Sequence, residues 1–151
     1  MDDILLCNAW HMFTDLAYTA GFLDGEGHVG MTKWGTSWLP VLIITNTDRR
    51  VIDWLVERYG GKVYIHDRRN SVHKPRFNWR LVGKHATTLL EQVLPYLILK
   101  RQQAELCLRY YSEGGNFHDG NNRLPHTEYK RRRQLHAELK ELNRRGTTAA
   151  T

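Results

Sequence analysis

Leu16-Ala17-Tyr18-Thr19-Ala20-Gly21-Phe22-Leu23-Asp24-Gly25-Glu26-Gly27-His28-Val29-Gly30 is the stretch on which the fold turns. From Asp15 to Asp24 its pattern predicts a helix, with Thr14 or Asp15 capping the start and Gly25 and Gly27 ending it. Ala17 and Gly21 are four apart, with Ala20 and Asp24 alongside, so one helix face is almost bare and lets another helix approach closely. Asp24 and Glu26 stand at the end of that face. Carboxylates there meet the negative end of the helix dipole, at a cost of a few tenths to about 1 kcal/mol. A divalent cation would offset it. An acid before Gly is also a common cap or turn residue, and Asp24 is read mainly in that role.

Outward from this helix the periodicity changes. His28 to Trp34 and Trp38 to Thr45 are short and β-rich, and Gly35, Thr36 and Ser37 between them signal a hairpin. Asn46, Thr47 and Asp48 offer caps to a second helix, which carries Val51, Ile52, Leu55, Val56 and Tyr59 on one face and stops at Gly60-Gly61. Lys62 to Asp67 and Arg76 to Val82 predict a second hairpin across a polar loop from Arg68 to Pro75. Helical spacing returns from His85 to Leu94, breaks at Pro95 and resumes from Leu99 to Tyr111. The predicted order is α-β-β-α-β-β-α-α plus a terminal helix. The domain is expected over 1–115, with a linker at 116–126, a basic helix at 127–145 striped by Leu135, Leu139 and Leu142, and a tail at 146–151.

The chain has 151 residues, with 22 Lys and Arg against 16 Asp and Glu, a net charge of +6 that favours an anionic partner. Length excludes a multidomain enzyme, and 41% hydrophobic residues exclude a mainly disordered chain. Cys7 and Cys107 are too few for a disulfide scaffold or a four-thiolate metal site, which points to a reducing compartment. The first Lys or Arg is Lys33, so no signal or transit peptide is expected, and no apolar run approaches membrane-spanning length. An intracellular protein is expected, without a choice among bacterial, phage and organellar origin.

In Arg76-Phe77-Asn78-Trp79-Arg80-Leu81 polar and apolar residues alternate strictly, so Arg76, Asn78 and Arg80 share one face. Arg and Asn pair bidentately with guanine and adenine edges, and a two-stranded ribbon fits the major groove. The same reasoning marks His66 and Arg68 on the third strand, and His28, Thr32 and Trp34, with Ser37 at the turn, on the first hairpin. Leu39, Val41 and Ile43 would make the neighbouring part of that surface apolar. Seven bases between Lys62 and Lys84 against the single acid Asp67 fit phosphate contacts. Lys130-Arg131-Arg132-Arg133 adds a second cluster, either a solvated helix face or a backbone contact.

Thr19-Ala20-Gly21-Phe22-Leu23-Asp24-Gly25-Glu26-Gly27 resembles the LAGLIDADG motif of homing endonucleases, with Thr19 where an apolar residue is usual and Glu as the last acid. Ile44-Thr45-Asn46-Thr47-Asp48 and the segment from Leu94 to Ala104 are similar to two further family segments, so the likeness covers about residues 14–113. It implies an α+β fold of αββαββα order, with a four-stranded antiparallel DNA-binding sheet and C-terminal helices. One motif per chain implies a homodimer joined through Ala17, Ala20, Gly21 and Asp24. The resemblance makes Glu26 and the Gly25 carbonyl ligands of Mg²⁺ or Mn²⁺. It has Asn46 order water, Lys100 support the attacking water or the developing charge, and Arg49, in preference to Arg50, face the cleaved strand.

The function expected is site-specific hydrolysis of double-stranded DNA at a long pseudo-palindromic target, with no membrane and no small-molecule substrate. Phosphodiester hydrolysis needs a hard cation, a positioned water and positive charge, and the acid, amide and lysine supply groups for each. The alternative is a non-cleaving nucleic-acid binder, an intron RNA maturase or a DNA-binding regulator, which loss of the acids would have favoured. A His-Asn-His nuclease site at His118, Asn122 and His126 lacks its hairpin-helix surroundings and is set aside.

Overall fold

The computed structural model describes residues 2–35, 37–66, 74–115 and 125–144, with side chains from residue 12 onward. Helix α1 spans Asp2–Glu26, so it begins 13 residues ahead of the expected start and carries Gly25 inside it. No Pro or Gly precedes Gly21 to stop a helix, and Thr14 and Asp15 are interior positions. The Thr19 hydroxyl donates back to the Asp15 carbonyl at 2.8 Å, and the Asp15 carboxylate pairs with Arg58 at 2.8 Å.

Strand β1 (Gly27–Trp34) leaves α1 without a linker and pairs antiparallel with β2 (Ser37–Asn46). Gly27 has a steric reason to be glycine: a Cβ would stand 2.8 Å from both Leu23 Cα and the Leu23 carbonyl oxygen. Helix α2 (Arg49–Tyr59) starts at Asp48, whose carboxylate accepts from Arg50 N at 2.9 Å, and stops at Gly60. Strands β3 (Lys62–His66) and β4 (Arg76–Val82) form the second hairpin, and helix α3 (Lys84–Val93) runs into a 3-10 turn at Leu94–Tyr96. Helix α4 (Arg101–Tyr110) ends in a wide turn at Tyr111–Gly115, and helix α5 spans His126–Leu142.

The sheet is antiparallel throughout in the order β1-β2-β4-β3, so the expected α+β architecture is the observed one. Register assigns its faces. Val29, Leu42, Ile44, Trp79 and Leu81 point into the core, where they meet Leu23 of α1, Leu89 and Leu90 of α3 and Cys107 of α4. Trp79 is fully buried, and its indole N–H is satisfied by the Gly60 carbonyl at 2.7 Å. Leu135 and Leu139 of α5 join the same core, so the terminal helix packs with the rest of the chain.

The basic run on α5 differs from its sequence reading. Arg131 pairs with Glu128 and Glu113, and Arg132 is only 2% exposed, bonded to Glu128, Ser37 and the Gly114 carbonyl. Only Lys130 and Arg133 of the four are exposed. The pairing acid Glu128 is four residues or fewer from both arginines, and the remaining partners are distant in sequence.

Candidate active site

The junction of α1 and β1 places both motif acids. Glu26 is exposed and lines an open cleft of about 470 Å³ with Thr45, Asn46, Thr47 and Arg76. The Asn46 side-chain Oδ1 accepts from Asp48 N at 2.7 Å, which tightens the turn into α2. Arg76 enters the cleft because register fixes Asn46 opposite Phe77, the residue beside it. Sequence reasoning placed Arg76 among base readers. Alternation assigns it a face but not a neighbour, and only the non-local pairing of β2 with β4 reveals the cleft.

Asp24 points elsewhere. Its carboxylate accepts from three successive amides, Ile98 N at 2.7 Å, Leu99 N at 3.1 Å and Lys100 N at 2.9 Å. This cap pins the segment before α4 to the end of α1; Asp24 itself is helical, so it caps a distant segment and not the local turn expected of it. The Lys100 ammonium group donates to the Asp24 main-chain carbonyl. Burial pushes the Lys100 pKa down, and the carboxylates of Asp24 and Glu26 pull it partly back. His28 is also held below its ordinary value, first by burial and then by the charge of Lys100.

Arg49 and Arg50 are both exposed, but they have different partners. Arg50 pairs with the cap Asp48 at 2.6 Å, and Arg49 pairs with Asp53 at 3.3 Å and lies 5.7 Å from the centre of the Phe77 ring. Neither lines the Glu26 cleft, where Arg76 stands instead.

The outer face of the sheet gathers His28, Thr32, His66, Asn78 and Arg80, together with Leu39, Ile43 and Thr45. Arg80 lies across the sheet and donates to the Thr32 hydroxyl at 2.8 Å, which fixes its guanidinium. The Asn78 carbonyl oxygen and the Arg80 Nε are buried with no hydrogen-bond partner among the described residues. Trp34 is 59% exposed at the far end of β1. Ser37 departs from its expected place on this surface: it is 3% exposed, covered by Tyr110 and Arg132. Arg68 lies outside the described residues, as do His118 and Asn122.

The expected bare face of α1 is only partly open. Ala17 and Gly21 are exposed, and a Cβ on Gly21 would meet nothing within 4 Å among the described residues. Ala20 is fully buried in the chain's own core and so does not belong to the open stripe, while Asp24 is half-buried as a cap at the end of it. At 100° per residue, position 20 turns away from the line through 17 and 21.

No protein-family profile matches the sequence, and no curated protein matches it. Solved structures do. The homing endonuclease I-CvuI, in complex with DNA, superposes with a TM-score of 0.68 at 21% identity over 93% of this chain and 88% of that one. The archaeal intron-encoded homing endonuclease I-Vdi141I, complexed with DNA, gives 0.66 at 19% identity over 91% and 89%. The LAGLIDADG meganuclease I-AabMI, bound to uncleaved DNA, gives 0.59 at 20% identity over 81% of this chain and 43% of that one. The helix-to-strand junction at Glu26, the β1-β2-β4-β3 sheet and the closing helices thus make up the fold of the LAGLIDADG homing endonucleases.

Proposed function

We propose that the chain is a site-specific double-stranded DNA endonuclease that works as a homodimer with a divalent cation. The observation that carries this reading is the cleft in which Glu26, Asn46 and Arg76 meet at the end of the polar sheet face, with Lys100 held beside Glu26 through Asp24. I-CvuI and I-Vdi141I, which share the fold, were solved with DNA.

The donors around Glu26 are oxygens and amide groups, with no thiol, which suits a hard cation such as Mg²⁺. Among the described residues no three acids, histidines or cysteines cluster to hold a metal. Among those residues Glu26 is the one acid lining the cleft, and a second copy bringing its own Glu26 would supply another. Glu26 and the Gly25 carbonyl would hold the ion, which would polarise a phosphate oxygen and acidify a bound water. In the cleft Asn46 would orient water and Arg76 would face the phosphate, while Lys100, which interacts electrostatically with Glu26, would supply positive charge.

Dimerisation is supported by Gly21. A glycine inside a helix costs about 1 kcal/mol relative to Ala, and none of the described residues lies close enough to require it. Exposed apolar side chains flank the open stripe: Phe13 and Tyr18 on α1, and Ile98 and Leu99 pinned beside its end. A partner helix would cover them.

The deciding experiment is selection of cleaved sites from a randomised duplex library with Mg²⁺. Recovery of one pseudo-palindromic sequence is the expected result. Binding to a preferred duplex without strand scission would instead favour the non-cleaving binder.

A further inference from the structure

Three elements converge on the tip of the first hairpin. Arg132 of α5 is buried, and each of its nitrogens has a different partner: Nη1 donates to the Ser37 hydroxyl at 2.8 Å, Nη2 to the Gly114 carbonyl at 2.7 Å and Nε to Glu128 at 2.7 Å. The guanidinium lies 6.0 Å from the centre of the Tyr110 ring. The Tyr110 hydroxyl shares a hydrogen bond with the Ser37 hydroxyl at 3.2 Å and accepts from Trp38 N, also at 3.2 Å. The Trp38 ring then stacks on His136 and tilts against Tyr129, with ring centres 5.4 and 5.8 Å away. Ser37 and Trp38 are the first residues of β2, directly after the turn that follows Trp34.

A buried arginine is a poor way to gain stability, because an apolar side chain of similar volume often serves as well or better. What a guanidinium adds is direction, since its planar fork fixes several acceptors at set angles. Here the fork ties α5, the turn after α4 and the start of β2 to one another. The held residues lie at the end of β1 farthest from Glu26, and Trp34 is exposed on the same rung as Ser37.

We propose that Arg132 and Tyr110 are positioning residues that brace the β1–β2 hairpin tip in the one shape in which it reads the outer part of each half-site. This rests on the sheet being the DNA-contact surface. The terminal helix then shapes recognition through the hairpin it holds, without itself reading bases.

The test has two arms, each applied to Arg132→Met, Ser37→Ala and Tyr110→Phe in the full chain. Amide hydrogen exchange of the free protein is expected to speed up at residues 33–38 and to stay unchanged in β4 and α3. Cleavage of single-substitution target panels is expected to lose preference by about tenfold, the value of one good base contact, at the positions farthest from the scissile bonds. Preference at the central positions and the rate at saturating target should be unchanged. Exchange that does not rise at the tip overturns the brace. Preference that falls equally at all positions, or not at all, overturns its role in reading. If Arg132→Met fails to fold, the other two variants, which each remove a single polar group, decide both points. A wild-type chain without site preference would overturn the endonuclease reading, while the exchange arm would still judge the brace.

Discussion

Asp24 and Glu26 are two residues apart and have different partners, one holding three backbone amides and the other open to the cleft. Asp24→Asn keeps the shape but removes the charge that those amides face. It should cost about 1–3 kcal/mol in urea unfolding and slow cleavage as Lys100 shifts. Glu26→Gln should leave unfolding and DNA affinity near wild type and abolish cleavage; equal destabilisation by the two changes would contradict the division. The motif spacing made both acids legible, and an acid before Gly already suggested a turn role for Asp24. Its partners were not legible, because the amides lie 74 to 76 residues away and no local periodicity encodes such a pairing. Arg76 stayed hidden as a cleft residue for the same reason, while Ala20 could have been assigned to the core by helical angle alone.

Among elements, α5 separates pattern from partner. Its leucine stripe was readable, with Leu135 and Leu139 buried and Leu142 partly so, but its arginines read as free charge because their partners sit on other turns and other elements. Leu139 is 2% exposed, so Leu139→Ala should cost about 2–5 kcal/mol. An appended helix would lose far less, and equilibrium unfolding distinguishes the two. The Glu128 carboxyl is held down at about 2, first by hydrogen bonds from Arg131 and then from Arg132. Its folded value lies below the 4.5 of a free glutamate, so its stabilisation is complete above that pH and is lost as pH falls toward 2. The stability gap between wild type and Glu128→Gln should therefore narrow between about pH 5 and pH 2. A gap that persists at pH 2 would assign the effect to packing. The length of α1 was the least legible boundary, since Thr14 and Asp15 are good caps in isolation and lose to a helix already running through them.

For the whole molecule, Gly21 gives the sharpest prediction. Gly21→Leu adds a good helix former at a place where no described residue stands within 4 Å of the new Cβ, so the monomer should be as stable as wild type or more so by up to about 1 kcal/mol. The same side chain would hold a partner helix off, and sedimentation should show the dimer lost along with cleavage. Retained dimerisation would move the interface elsewhere.

In the proposed DNA-reading dimer, the direct join of Glu26 to β1 would also set how much a target can say. Eight residues of β1 at about 3.3 Å each reach about 26 Å. That is about eight base steps at ~3.4 Å. Two copies back to back would span about sixteen base pairs, and reading all of them singles out one sequence in roughly 4 × 10⁹, the order of the competing sites in a large genome. In the proposed endonuclease, strand length would act as an address length: an arm two residues shorter would cut in many places, and one much longer would rarely find its site.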